Sequence, residues 1–341
     1  MRPIPTDEPI SALDDVSVVI PTKDRAALLR QTLRSIGEQS MQPAEVIVAD
    51  DGSTDDTERV VREFGACHLH NPRGDWRPSG GRNAGMRAAG TTYVAFIDSD
   101  DLYHPRALER LHAAIAAQKD APFAFGRGLA ARLTPSGWES DGVIAPRDWE
   151  LEDFLCSLYA RNSIPSGGGL VRRELALALG GFDQRSVFAQ DHAFWLKLAR
   201  DGDPVYLPEL VCVHRRHTGN RMSPIVAADY ARLITAVAEQ DPCLARCVPR
   251  RLGVQLCEIS IEALHKRHWA VDGGQVPDRR ARTNRDAACG PHPLAHTQRM
   301  RARGRGATEP RCRVARLAGN VYVSLALRDS SWRFRRPKRS A

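Results

Sequence analysis

Glu45-Val46-Ile47-Val48-Ala49-Asp50-Asp51-Gly52-Ser53-Thr54-Asp55 is the stretch on which the reading of this chain turns. A short β-branched run that stops at paired acids and a Gly-Ser turn reads as a buried strand, feeding a helix capped by Thr54 or Asp55. The same grammar recurs at Tyr93-Val94-Ala95-Phe96-Ile97-Asp98-Ser99-Asp100-Asp101. Carboxylates crowded at strand ends repel one another unless a cation or a hydrogen-bonding ligand offsets the charge.

Outward from these two runs the first half of the chain alternates strand-like and helix-like segments. Residues 16–20 form an apolar run that Pro21 stops, and Asp24 is placed to cap a helix whose face carries Leu28, Leu29, Thr32, Leu33 and Ile36 before Gly37. Residues 45–49 are the second strand, with its helix running to Phe64, and 67–70 a short third strand. The loop 71–81, with Pro72, Gly74, Pro78, Gly80 and Gly81, reads as mobile, and 83–89 as a small-residue helix. Residues 92–97 are the fourth strand, after which Pro105 opens a helix with Leu108, Leu111 and Ile115 inward. Beyond 122 the pattern loosens into a strand at 123–132, a Gly/Pro/Ser turn, a helix near 148–159, a flexible corner at 166–169, a helix at 188–200 and one or two strands at 205–214. Residues 230–269 look helical, with breaks near Pro242 and Pro249. Alternation of this kind implies an α/β fold, a mostly parallel Rossmann-like sheet flanked by helices, with both acidic clusters at the carboxyl ends of strands where such sheets bind ligands.

A formal charge of +8 over 341 residues invites a nucleic-acid partner. Its location argues otherwise. Residues 271–341 carry 17 basic groups against five acids, leaving 32 basic against 36 acidic groups in the rest of the chain. A basic tail on a mildly acidic body is not a nucleic-acid-binding domain. The eight cysteines are scattered without zinc spacing, and Cys243 and Cys247 read as buried free thiols. Residues 1–15 contain no apolar leader, and no stretch reaches the length of a membrane span. These features predict a cytoplasmic protein, with the basic tail as a means of peripheral contact at the inner membrane face.

Four motifs in order carry a family resemblance: Val18-Val19-Ile20-Pro21-Thr22-Lys23-Asp24-Arg25, then Val48-Ala49-Asp50-Asp51-Gly52-Ser53, then Gly81-Arg82-Asn83-Ala84-Gly85, then Ile97-Asp98-Ser99-Asp100-Asp101. With Gly180-Gly181-Phe182-Asp183 and Gln190-Asp191-His192-Ala193-Phe194-Trp195 the series resembles that of family 2 glycosyltransferases with the GT-A fold. The likeness implies a catalytic domain over 16–220; outside it, periodicity and composition predict an arm at 1–15, a helical C-terminal extension at 221–270 and a basic, disordered tail at 271–341.

The resemblance also implies roles. An inverting enzyme would move a sugar from a nucleotide-diphosphate donor of UDP, GDP or dTDP type to an acceptor hydroxyl. Mn²⁺ or Mg²⁺ would sit on Asp98 and Asp100, oxygen ligands suited to either ion. Asp51, with Asp50 beside it, would face the base or ribose. Pro21 and Thr22 would line the nucleoside pocket, Asp24 or Arg25 would close its rim, and Arg82 and Ser99 would meet the donor near its diphosphate. Asp191 matches the family's catalytic base, near a helix start where free amides favour its charge. Gln190 departs from the family, which commonly has Glu there. Asn83 reads as a cap or loop-fixing residue, Trp195 as core, and His214 and His217 as loop histidines of which His217 is the candidate third metal ligand. Glycan, lipid-linked and small-molecule acceptors all fit. Two rival readings are a nucleotidyltransferase, disfavoured because Pro21-Thr22-Lys23-Asp24 lacks a phosphate-binding glycine, and a non-catalytic sugar-binding module, disfavoured by the intact Asp98, Asp100 and Asp191.

Overall fold

Val16, Val18 and Ile20 fill one face of the first strand, β1 (Ser11–Thr22), while Ser17 and Val19 fill the other, all without solvent exposure. A strand dry on both faces must be central and covered on both sides. The computed structural model, which describes residues 11–135, 137–185 and 189–216 together with Leu244 and Cys247, places it so. β1 runs parallel to β2 (Met41–Asp50) on one side and to β4 (Tyr93–Phe96) on the other, and β2 runs parallel to the edge strand β3 (Cys67–His70). Helices α1 (Ala26–Gly37), α2 (Thr57–Glu63) and α3 (Arg77–Ala88) make the connections.

The second half completes a mixed sheet. After β5 (Leu102–Tyr103) and α4 (Ala107–Ala117), the long β6 (Phe123–Thr134) turns back through β7 (Gly137–Ile144). Then follow α5 (Asp148–Leu151), α6 (Phe154–Ala160), β8 (Gly169–Arg172), α7 (Arg173–Ala178), α8 (Gln190–Asp201) and β9 (Val205–Arg216). The sheet order is β3-β2-β1-β4-β8-β6-β9-β5, with β7 hung on β6. The β4–β8 and β6–β8 pairs are antiparallel, so the parallel character belongs to the first half.

Two apolar layers sandwich the sheet. Val16, Val18 and Ile20 pack with Leu29, Leu33, Leu108 and Leu111 from α1 and α4. Val19 and Ile47 face the other layer, where Phe96, Phe123, Phe194 and Trp195 gather under α8. Phe182 stacks on Phe194 at 3.9 Å between ring centroids, so α8 is anchored by aromatic contact. Removing the Trp195 ring would cost about 3–5 kcal/mol. Gly85 lets α3 press onto β1, since a Cβ there would fall inside the van der Waals radius of Val19 Cγ1.

Several local expectations need correction. Helix α3 begins at Arg77 instead of Asn83, and the 71–81 loop is not free. The Asp51 carboxylate accepts the Trp76 and Arg77 N–H groups and the Asn71 amide, fixing the helix start from a distant turn. Asp24 does not cap α1. It adopts a left-handed backbone (φ 49°) and accepts from Thr54 N–H, while Asp55 takes Ala26 N–H and so caps α1 from the neighbouring loop. The helix expected near 148–159 is split, because Asp153 accepts the Cys156 N–H and starts α6 afresh. Cys247 is no free thiol: it is disulfide-bonded to Cys156 of α6. The strand β7, the counterpart of β6 across the Gly/Pro/Ser turn, went unread. No helix among the described residues is long and apolar enough to cross a membrane. The readings of a C-terminal helical extension, of the basic tail and of His217 lie outside the described residues.

Candidate active site

The chain leaves β1 in one direction to build β2 and β3 and returns on the opposite side as β4, so the order reverses between β1 and β4. Loops leaving the carboxyl ends of strands diverge at such a point and open a crevice. Here the crevice is walled by Pro21 and Thr22 at the end of β1 and by 97–101 beyond β4. Arg25 spans it, its Nη1 donating to Asp100 Oδ2 at 2.6 Å.

Past β4 a tight turn, closed by Asp101 N–H on the Asp98 carbonyl at 3.0 Å, gathers three carboxylates. One oxygen of each of Asp98, Asp100 and Asp101 lies within 4.8 Å of the others. Their charge is met by cations from three segments and by one backbone amide. Arg82 of α3 donates to Asp98 Oδ1, Arg25 to Asp100, and His214 of β9 to Asp101 at 3.0 Å, while Arg215 N–H reaches Asp101 Oδ1 at 2.8 Å. Asp101 is therefore committed to β9; its charge lifts His214 to about 9, while burial pushes the Asp101 carboxyl up against the pull of His214. Asp98 differs: its side chain is 26 % exposed, with Ser166 Oγ on its second oxygen at 3.1 Å. Burial opposes its charge, yet Arg82 and His214 outweigh that and hold the carboxyl below its usual range. The backbone of the turn is pinned by Thr32 Oγ1, which donates to the Ser99 and Asp101 carbonyls.

Asp191 lies in the first turn of α8. Ala189, which precedes the helix, is left-handed (φ 57°), as are Asp24 and Arg77 at the other rim. Such backbone costs on the order of 1–3 kcal/mol per residue and concentrates at working sites. Asn162 Nδ2 donates to Asp191 Oδ2 at 3.1 Å, and Asn162 Oδ1 accepts Ile164 N–H, locking the amide. Burial pushes the Asp191 carboxyl up, Arg82 pulls it down, and the charge of Asp98 pushes it up again. Asp98, Arg82 and Asp191 thus share one electrostatic field.

Arg82 is the common member. It is buried, its ring neighbour Phe182 lies 5.3 Å from the guanidinium, and its Nη1 has no hydrogen-bond partner among the described residues. Thr22 Oγ1 is likewise buried without a partner. Unpaired buried donors at a crevice are places for a ligand's oxygens. Asn83 behaves as the loop-fixing residue that its type suggests, clamping Phe182 through both N–H and C=O at 2.8 Å. Trp195 is core. Asp50 and Asp51 part company: Asp51 holds the 71–77 loop, and Asp50 faces Ser53, His68 and His70. Asn162 had no pattern of its own in the sequence, Thr32 read only as part of the α1 face, and Ser166 only as the start of a flexible corner.

Residues 17–164 match the family model "Glycosyl transferase family 2", a span that includes Asp98 and Asp100 and ends before Asp191. The chain is 30% identical over 157 residues to a GalNAc(5)-diNAcBac-PP-undecaprenol beta-1,3-glucosyltransferase of Campylobacter jejuni, covering 42% of this chain and 50% of that protein. It is 37% identical over 117 residues to a validoxylamine A glucosyltransferase of Streptomyces hygroscopicus, covering 33% of this chain and 28% of the relative. The chain thus spans half or less of the length of these curated relatives. Among solved structures it is similar to Staphylococcus aureus TarS in complex with UDP, at TM-score 0.49 and 20% identity, over 66% of this chain and 65% of that one.

Proposed function

We propose that this chain, which belongs to glycosyl transferase family 2 through residues 17–164, moves a sugar from a nucleotide-diphosphate donor to an acceptor hydroxyl by single displacement with inversion. The observation that supports this reading is Asp191 in the first turn of α8, a buried carboxyl whose charge is coupled to Arg82 and to Asp98. A carboxylate to take a proton, near an arginine and a carboxylate cluster that can hold a diphosphate and its cation, is what an in-line displacement needs.

The donor's nucleoside lies against Pro21 and Thr22, with Thr22 Oγ1 as a free donor and the Asp51-held loop as the far wall. The diphosphate lies at Arg82, whose spare Nη1 donates to its oxygens. Asp98 and Asp100 fit a hard divalent cation such as Mn²⁺ or Mg²⁺, because every converging donor of the cluster is a carboxylate oxygen. Such an ion, when bound, offsets the charge that grows on the departing diphosphate. Arg25 donates to Asp100 Oδ2, which makes the rim arginine a competitor with the ion for that oxygen.

Asp191 takes the proton of the acceptor hydroxyl. The hydroxyl oxygen bonds to the anomeric carbon, and the bond from that carbon to the diphosphate oxygen breaks on the opposite face. Acceptors consistent with the names of the relatives are undecaprenol-linked glycans and small molecules such as validoxylamine A. The test is incubation with UDP-, GDP- and dTDP-sugars and Mn²⁺, reading release of nucleoside diphosphate. Diphosphate release supports transfer, whereas pyrophosphate formed from a sugar phosphate and a nucleoside triphosphate overturns it.

A further inference from the structure

Asp50 has a set of partners that glycosyl transfer does not use. It ends β2, and the parallel register sets it beside His70 of the edge strand β3. His68, two residues earlier, shares the strand face of His70, and both rings turn toward the same carboxylate oxygen. His68 Nε2 is 3.0 Å and His70 Nδ1 3.3 Å from Asp50 Oδ2, and the three atoms lie within 4.8 Å of one another. The second oxygen, Oδ1, accepts Ser53 N–H at 2.9 Å, which fixes the carboxylate and leaves Oδ2 to the histidines. Cys67 and Leu69 alternate to the opposite face, so the donor set is two nitrogens and one oxygen.

We propose that Asp50, His68 and His70 form a binding site for a Zn²⁺-type transition-metal ion, separate from the carboxylate cluster beyond β4. Bonds of about 2.0–2.1 Å to Zn²⁺ put neighbouring corners of a tetrahedron roughly 3.3 Å apart, close to the 3.0 and 3.3 Å that separate the two imidazole nitrogens from Asp50 Oδ2. Two imidazoles and one carboxylate select Zn²⁺, Co²⁺ or Ni²⁺ over Mg²⁺, whereas the all-oxygen cluster has the reverse preference. The hydrogen bond from Ser53 is the kind of outer support that orients a ligating carboxylate. The fourth position opens to solvent past His70, whose side chain is 43 % exposed at the sheet edge. The ion would tie the edge strand to the Asp50-Asp51 turn, and this proposal stands whether or not the chain transfers sugar.

The experiment is Co²⁺ titration of the full-length chain near pH 7.5, read as visible d–d absorption, beside His68→Ala, His70→Gln and the double variant. His70→Gln alters an exposed residue, and far-UV circular dichroism verifies its fold. The expected result is one equivalent of four-coordinate Co²⁺, displaced by Zn²⁺. Each single variant should weaken it by more than the roughly 10–100-fold that loss of an outer-shell partner costs. Mn²⁺ binding should be the same in all four proteins. Absence of the four-coordinate spectrum from the unaltered chain, or its survival in the double variant, overturns the proposal.

Discussion

Replacing Asn162 separates what holds Asp191 in place from what keeps it charged. The amide donates to Asp191 Oδ2 at 3.1 Å while its own oxygen accepts Ile164 N–H at 3.1 Å. A hydrogen bond to a charged group contributes about 1.5–3 kcal/mol, and each pKa unit corresponds to about 1.4 kcal/mol. Burial already holds the Asp191 carboxyl high, so losing a donor to its ionised form raises it further. Asn162→Ala is therefore expected to move the acid limb of the pH profile of kcat/KM upward by about 1–2 units, since the base must be ionised to act. Asn162→Asp sharpens the test. It restores an acceptor for Ile164 N–H but sets a second negative charge beside Asp191, so the acid limb should move up further than in the alanine variant. Were Asn162 only a turn residue, aspartate would rescue the profile. An unmoved acid limb in Asn162→Ala, or a wild-type profile in Asn162→Asp, refutes the assignment of Asp191 as the base.

Four further outcomes follow from the same geometry. Asp100→Ala should abolish metal-dependent donor binding, whereas Asp191→Asn should keep donor binding by calorimetry and lose about 10²–10⁴-fold in kcat. Arg25→Ala removes from Asp100 one partly exposed ion pair worth about 1 kcal/mol, so Mn²⁺ should bind about fivefold tighter in the absence of donor, measurable by electron paramagnetic resonance. Gly85→Ala puts a methyl group against Val19 where α3 meets β1, and should cost about 1–3 kcal/mol in urea unfolding. His104 is held down to about 4 by burial and by Arg110 and Arg106. The unfolded chain then binds the proton more readily, so stability should fall as pH drops from 6.5 toward 4, and His104→Gln should flatten that part of a Tm-against-pH curve.

The strand-end acids were legible because their signal is local. Val46, Ile47 and Val48 can only be a strand, Asp98 follows one, and their order along the chain predicts a parallel sheet with both clusters at one edge. The helix faces of α1 and α4 were equally plain, with Leu29, Leu33, Leu108 and Leu111 all buried where periodicity puts them. Helix starts were not. Those of α1 and α3 are capped by Asp55 and Asp51 from loops 29 and about 25 residues away, and a rule that looks for a cap beside the helix finds Asp24 or Asn83 instead. The pairing of Cys156 with Cys247, 91 residues apart, was illegible for the same reason, since no local pattern links them.

From sequence alone came the residue types of the site and the strands that bear them, since both depend on neighbours in the chain. Which carboxylate does what was decided in three dimensions. Asp50 and Asp51 are adjacent in sequence, yet the pleat and the turn send one to the histidines of β3 and the other to the start of α3. Asp98, Asp100 and Asp101 look alike, yet β9 claims Asp101, Arg25 reaches Asp100, and Asp98 is left at the opening beside Arg82. Hydrogen bonds and ion pairs form between whatever groups the sheet register and helix packing bring within about 3 Å, and that proximity is written in no local pattern.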